Sequence, residues 1–234
     1  MQNPFFLKGF LLTCPSKVLQ MEENLANQRR SYEKSKLSAT QLKKCPMEFF
    51  KVWYDEVQEK ETELENNAMT LSTLDEKGFP KNRVVLLKRF NDEGFVFFTN
   101  YTSEKGKSIA RNPKVSLSFY WPRMERQVMV KGYAEQLPAS ASDAYFEVRP
   151  RGSQIGAYVS HQSQPIAGRE VLEKRKEVLE RRFEGKTIAR PEFWGGYLVR
   201  PEVMEFWQGR PNRLHDRFRY LREEKGWKVE RLAP

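Results

Sequence analysis

Just after Pro46, apolar residues recur at three- and four-residue spacing: Phe49, Phe50, Trp53 and Val57 share one side, with Lys51, Asp55, Glu56 and Glu59 between them. That period predicts an amphipathic helix, opened by a proline whose missing N–H is harmless in a first turn. After a polar break at 63–67 the pattern changes to short runs rich in β-branched and aromatic residues, at 68–74, 83–88, 95–100, 115–121 and 127–137. These predict strands. Two of the links between them, Asp75-Glu76-Lys77-Gly78 and Asn91-Asp92-Glu93-Gly94, end in the glycine that a tight turn with left-handed backbone requires.

Ser103 is placed to cap a short helix through Arg111, and Ser140 with Asp143 three residues later reads as a capping box ahead of a helix over 144–148. Much positive charge lies in 169–190, but Glu170 faces Lys174 and Glu177 faces Arg181 at i,i+4 spacing, while Leu172, Leu179 and Phe183 make an apolar stripe. This is the pattern of a solvated amphipathic helix, not of a nucleic-acid-binding surface. Beyond it, 196–200, 203–207, 214–221 and 227–232 return to strand composition, with Pro201, Gly209 and Gly226 as breaks. Nine short antiparallel strands with peripheral helices predict a mainly β barrel or sandwich. No Gly-rich dinucleotide fingerprint is present.

Composition narrows the functional classes. No apolar run approaches the roughly 18 residues of a membrane span, which excludes a helical membrane protein. A formal charge of +10 over 234 residues suits a nucleic-acid binder or a protein that holds small anions, and its distribution favours the second. Two cysteines, Cys14 and Cys45, and two histidines, His161 and His215, are too few and too scattered for a structural zinc site. The expectation is a reduced, cytoplasmic protein with no metal and with neither nucleic acid nor membrane as partner. Residues 1–20 carry lysines, no acids and only a short apolar patch, and read as a disordered extension with Met21 as an alternative start. Residues 21–234 read as one domain.

Three clusters mix cations with hydroxyl or amide groups, as phosphate recognition needs. Arg83-Val84-Val85-Leu86-Leu87-Lys88 has a buried-strand middle with a cation at each rim, either to reach two anions or merely to snorkel. Tyr145, Arg149, Arg151, Gly152, Ser153 and Gln154, with His161, Gln162 and Ser163 close behind, read as a helix ending at Arg149 and then a Gly-Ser-Gln loop that offers a guanidinium, hydroxyls and free N–H groups. A solvated loop is the competing reading. In the third cluster, alternation puts Arg213, His215 and Arg217 on one strand face, where like groups repel unless an anion or an electron-rich ring lies there. Pairing with Glu205 or Asp216 is the alternative, although a regular strand would turn Asp216 to the other face.

Taken in order, the runs RVVLLK, RQVMVKG, RPRGSQIGAYVSHQS, FWGGY, EFWQG, RLHDR and the terminal ERLAP resemble the pyridoxine/pyridoxamine 5′-phosphate oxidase family over about residues 29–234. The resemblance implies an FMN-binding split β-barrel of Greek-key antiparallel strands, working as a homodimer with FMN in clefts at the subunit interface and with 194–234 as a dimerisation and active-site segment. It implies oxidation of pyridoxine 5′-phosphate and pyridoxamine 5′-phosphate to pyridoxal 5′-phosphate, with O2 as acceptor, hydrogen peroxide as by-product and ammonia released from the amine.

By position, the resemblance implies that Arg83, Val84, Val85, Leu86, Leu87, Lys88, Phe98, Thr99, Lys105, Gln127, Gln162, Ser163, Trp207 and Arg217 hold FMN, some of them from the second subunit. Lys88, Tyr145, Arg149 and Ser153 would take the substrate phosphate. Arg213, Leu214 and His215 would contact the pyridoxyl group, with Arg213 and His215 the catalytic pair, and Arg29 and Tyr32 would close over it as a lid ordered by ligand. Glu104 departs from the pattern: the family usually has arginine there, and an acid suits a helix start but repels a phosphate.

Overall fold

The computed structural model describes residues 25–60 and 65–234, so the readings of the first twenty residues, Met21 and Cys14 lie outside the described residues. In chain order the elements are α1 (Pro46–Lys60), β1 (Ala68–Leu74), β2 (Pro80–Leu86), β3 (Arg89–Asn91), β4 (Gly94–Asn100), α2 (Glu104–Arg111), β5 (Lys114–Trp121), β6 (Arg126–Gln136), α3 (Ala139–Glu147), α4 (Arg151–Val159), α5 (Glu170–Phe183), β7 (Trp194–Gln208), β8 (Asp216–Glu223) and β9 (Gly226–Leu232). The fold is mainly β, as expected. All strand pairs are antiparallel and run in the order β2-β1-β5-β6-β7-β4-β3, with β8 and β9 added on the far half of β7.

That order forces the sheet to curl. Its two ends, β2 and β3, are separated in the chain only by Leu87 and Lys88, so the first and last strands must meet. Leu87 donates its N–H to Asn67 O on the β1 side (2.8 Å) and Lys88 donates to Val96 O in β4 (2.8 Å), which closes the seam. The barrel interior holds Met69, Leu71, Phe95, Phe97, Leu117, Phe119, Val128, Val130, Met204 and Phe206, all essentially without exposure. α1 plugs it with the predicted face. Phe50 meets Phe90, Phe95 and Phe119 at ring separations of 5.0, 4.9 and 4.9 Å. A second, smaller core of Phe146, Ile155, Val159, Ile188 and Trp194 lies under α3, α4 and α5, with Leu172, Leu179 and Phe183 of the predicted apolar stripe packed on it.

Both glycine-terminated turns form. Asp75 Oδ1 accepts from Lys77 and Phe79 N–H with Gly78 at φ 81°, and Asn91 Oδ1 accepts from Glu93 N–H ahead of Gly94. Ser103 caps α2, its hydroxyl accepting from Gly106 N–H.

Several expectations are corrected. The run at 83–88 begins earlier and stops at Leu86, because residues 80–86 register fully against β1 while Leu87 turns into the core. The two strands expected around Pro201 are one. β7 pairs with β4 over Trp194–Val199 and with β8 over Val203–Gln208, so the residue without an N–H falls in the gap, opposite a β-bulge at Lys131/Gly132. Gly132 is required there, since a Cβ would lie 2.1 Å from Arg200 O. The expected capping box fails: Pro138 heads α3 without a side-chain cap, and Asp143 instead pairs with Arg190 at 2.6 Å. In α5 the i,i+4 pairs are Arg169–Glu173 and Lys176–Glu180, not those expected. No helix among the described residues is long and apolar enough to cross a membrane.

Because Phe50 is wholly buried at the plug, Phe50→Ala should destabilise the protein by about 3–5 kcal/mol in denaturant unfolding; a loss under about 1 kcal/mol would contradict this account of the core.

Two cation-lined cavities as a candidate functional site

Strand β2, the end of β4, the start of α2 and the α3–α4 corner converge on a cavity of about 510 Å³. Its walls include Val84, Val85, Leu86, Lys88, Phe98, Thr99, Lys105, Tyr145, Arg149, Ser153 and Gln162, eleven of the residues expected from sequence, together with Pro150 and Trp194. Trp194 was missed. It supports the rest: Phe98 stacks on it at 5.5 Å and on Tyr145 at 3.9 Å, and the Arg149 guanidinium lies 4.3 Å over its ring. Only the aromatic start of FWGGY hinted at this.

The second cluster reaches this cavity by a different local structure from the one expected. Residues 152–154 are not a loop but the first turn of α4, and Ser153 and Gln154 donate their N–H groups to Pro150 O. The N–H groups of Ser153 and Gln154 are therefore committed, while that of Gly152, in the same first turn, is not. The cavity wall itself offers the Ser153 hydroxyl and the Arg149 guanidinium, whose Nη1 is buried with no hydrogen-bond partner among the described residues.

The electrostatics of this cavity are those of an incomplete ion pair. Lys105, 9% exposed, donates to Gln162 Oε1 (2.9 Å), Thr99 Oγ1 (3.1 Å) and Ser103 Oγ (3.3 Å), all neutral. Burial, reinforced by nearby Arg83 and opposed by Glu104, pushes its pKa down to about 8. Burial also lowers Arg83 and Arg149 from the usual guanidinium range. Three cations held partly out of water are poised to gain from an anion. Arg83 itself lies behind the wall, donating to Leu71 O (3.2 Å) and Thr73 Oγ1 (2.7 Å), and Leu87 is core rather than lining, because the strand has ended before it. Ser163 turns to a neighbouring hollow and accepts from Glu104 N–H at 3.3 Å. Glu104 lines that same hollow, and its carboxylate is answered by Lys81 at 2.5 Å. Both side chains are about half exposed, so the charge of Glu104 is screened by solvent as well as answered by Lys81.

Four more of the expected residues, Arg29, Tyr32, Arg213 and His215, line a second cavity of about 700 Å³, together with Arg210, Asn212 and their neighbours. It shares no lining residue with the first. Trp207 borders it, 5.7 Å from the Tyr32 ring and 4.7 Å from His215, and is register partner of both Gln127 and Arg217. The regular strand expected over 214–221 starts only at Asp216. Asn212 and Arg213 adopt left-handed backbone (φ 55° and 61°), so simple alternation does not set their faces. Leu214 is 68% exposed and lines neither cavity.

The expected cation face is partly neutralised within the chain. Arg217 pairs with Glu205 at 2.7 Å, the alternative raised from sequence. Asp216 is buried and accepts from Arg210, Arg231 and Leu37 N–H. Arg213 is left at the cavity. His215 Nδ1 accepts the Arg210 backbone N–H at 3.0 Å, so its proton is carried on Nε2. Burial, with Arg213 and Arg217, lowers its pKa against the opposing pull of Asp216, keeping the ring neutral near pH 7.

The two cavities lie toward opposite ends of β7. Trp194 lines one and Trp207 borders the other, thirteen residues on.

Fold and cavities together define a split-barrel protein with two separate cation-lined cavities. The chain belongs to the pyridoxamine 5′-phosphate oxidase family: residues 55–181 match the family described as "Pyridoxamine 5′-phosphate oxidase", and 194–234 match "Pyridoxine 5′-phosphate oxidase C-terminal dimerisation region". It is 54% identical over 211 residues to the pyridoxine/pyridoxamine 5′-phosphate oxidase of Flavobacterium johnsoniae, covering 90% of this chain and 99% of that one. It is 51% identical over 211 residues to the enzyme of the same name from Rubrobacter xylanophilus, covering 90% and 97%. Among solved structures, PhzG from Burkholderia lata 383, in complex with tetrahydrophenazine-1-carboxylic acid, superposes with a TM-score of 0.79 at 30% identity, covering 85% and 98%. A pyridoxamine 5′-phosphate oxidase-related FMN-binding protein from Nostoc punctiforme shares the fold at a TM-score of 0.64 and 16% identity, covering 79% and 96%.

Lys105 gives a signed expectation. Its lowered pKa means the charged form is penalised in the ligand-free fold at every pH below about 8, and the penalty fades as pH rises toward the unfolded value of 10.5. Ligand-free Lys105→Met should therefore melt above the native protein at pH 7, with the gap closing by about pH 10.5; a lower melting temperature than native at pH 7 would contradict the reading.

Proposed function

We propose that this chain is an FMN-dependent oxidase of pyridoxine 5′-phosphate and pyridoxamine 5′-phosphate. It forms pyridoxal 5′-phosphate with O2 as acceptor, releasing hydrogen peroxide and, from the amine, ammonia. It acts as a cytoplasmic homodimer whose sites each combine the first cavity of one subunit with the second cavity of the other. The observation that carries this reading is that the cavities are separate: Lys88 and Arg149 line one and Arg213 and His215 the other, with no lining residue in common. Two cavities without a shared lining residue favour a site assembled from two chains. The match of 194–234 to a dimerisation region supports a second copy, as does β2, an edge strand with Val84 67% exposed beside the cavity.

The residues present fit FMN. The buried Lys105 lacks a counter-anion in contact with its ammonium, and with Arg83 behind it makes the natural seat for the cofactor phosphate. The wall of Val84, Val85 and Leu86, with Phe98, Thr99, Gln162 and neighbouring Ser163, would hold the remainder, and Gln127, Trp207 and Arg217 would complete it from the partner subunit. When bound, FMN supplies the two-electron redox chemistry.

The protein's task is geometry and charge. The unpaired Nη1 of Arg149, with Lys88, Tyr145 and Ser153, receives the substrate phosphate. Fixing that end leaves the pyridine ring to be oriented by Arg213 and His215. His215 serves as a neutral hydrogen-bond donor through Nε2, because its other nitrogen is taken by Arg210. Arg213 contributes positive charge where electron density develops. Arg29 and Tyr32 cover the ring and exclude water.

Purified, FMN-loaded protein should convert pyridoxine 5′-phosphate to pyridoxal 5′-phosphate with oxygen uptake, and Arg149→Met should lower kcat/KM on the order of 100-fold while leaving FMN affinity unchanged. Bound FMN without product formation would overturn the oxidase reading.

A further inference from the structure

Glu125 is used by none of the roles above, yet it occupies an expensive position. It sits between β5 and β6 at φ 55°, ψ 39°, a left-handed conformation that disfavours a side chain, and it is only 2% exposed. Its backbone oxygen accepts from Gly209 N–H (2.7 Å) and from Gln208 Nε2 (3.2 Å), at the end of the strand that carries Trp207. Gln208 in turn accepts from Arg126, which pairs with Glu56 of α1 at 2.6 Å, so this end is fixed to the barrel plug. The Glu125 carboxylate reaches the other way. Oε2 accepts the backbone N–H of Lys34 at 3.0 Å, across 91 residues of sequence, while Lys34 Nζ reaches Arg123 O.

Two residues before Lys34, the Tyr32 ring lies so close over Gly209 that a Cβ there would come within 2.8 Å of it. Gln28 and Arg29 donate their backbone N–H groups to the nearby Leu25 and Asn27, and among the described residues the stretch before Tyr32 pairs with no strand. One residue therefore grips both layers of the second cavity: its floor through main chain and its cover through side chain. We infer that Glu125 is a positioning residue, a clasp that holds the Arg29–Tyr32 segment over Arg213 and His215 and so sets affinity for the substrate ring. The inference rests on the oxidase reading for its substrate, but not for the clasp itself.

Two substitutions separate the clasp from the turn. Glu125→Gly keeps the left-handed backbone and removes the carboxylate, while Glu125→Gln keeps an acceptor oxygen. In the FMN-loaded full chain, Glu125→Gly should speed tryptic cleavage at Arg29, Arg30 and Lys34 about tenfold and raise KM for pyridoxine 5′-phosphate about tenfold, with kcat and FMN affinity within about twofold of native. Glu125→Gln should stay within about twofold of native in both readouts. Native-like cleavage and KM in Glu125→Gly, or equal losses in the two variants, would overturn the clasp. If the native protein shows no turnover, the oxidase reading falls, and the cleavage comparison alone decides the clasp.

Discussion

The length of β7 is the constraint on which the rest depends. A fifteen-residue strand survives a central proline because its partners change at that point: β4 on one side of Pro201, β8 on the other, and a bulged β6 throughout. The strand thereby forms part of the curled barrel with its first half and carries the β8–β9 extension with its second. It also holds two tryptophans at fixed separation, each beside a different cluster of cations. A shorter strand would merge the clusters. The observed one carries them at its two ends, as the proposal of a site completed by a second chain requires.

The first half-site illustrates stability given up for binding. Lys105, Arg83 and Arg149 all lose hydration, and none gains a carboxylate in hydrogen-bonding contact. In a core selected for stability alone such charges would be replaced or paired. Around them the structure is rigid: α2 is capped by Ser103, Trp194 is packed beneath Arg149, and Arg190 links α3 through Asp143 to Trp194 O. Rigid walls with unsatisfied cations are preorganised for a phosphate. The second cavity is built differently, from irregular backbone at Asn212 and Arg213 and a covering segment tied down by the Lys34–Glu125 bond and the packing of Tyr32 on Trp207 and Gly209.

Much of the fold was legible because period and turn chemistry act locally. The α1 face, the 68–74 strand, both glycine-ended turns and the Ser103 cap follow from neighbours a few residues away. What failed depends on distant partners. Pro201 reads as a break unless the gap between two strand pairings is known, and β3 is too short to carry a pattern. The α4 turn looked like a loop because Gly152 and Ser153 are poor helix formers, and only packing of Ile155 and Val159 on the second core overrides that. For the site, residue types identified the chemistry, and the family resemblance put eleven residues on one cavity wall. The pairing of Arg217 with Glu205, the core role of Leu87 and the support from Trp194 needed three-dimensional contacts.

The most direct test of a shared site is complementation. Arg149→Met and Arg213→Met chains, carrying different tags, would be co-expressed and the mixed dimers isolated and loaded with FMN. If each site draws its first cavity from one subunit and its second from the other, one of the two sites in a mixed dimer contains neither substitution. The account predicts kcat/KM restored to about half the native value per dimer. Mixed dimers as inactive as either parent would mean that each site is completed within one chain, and would contradict it.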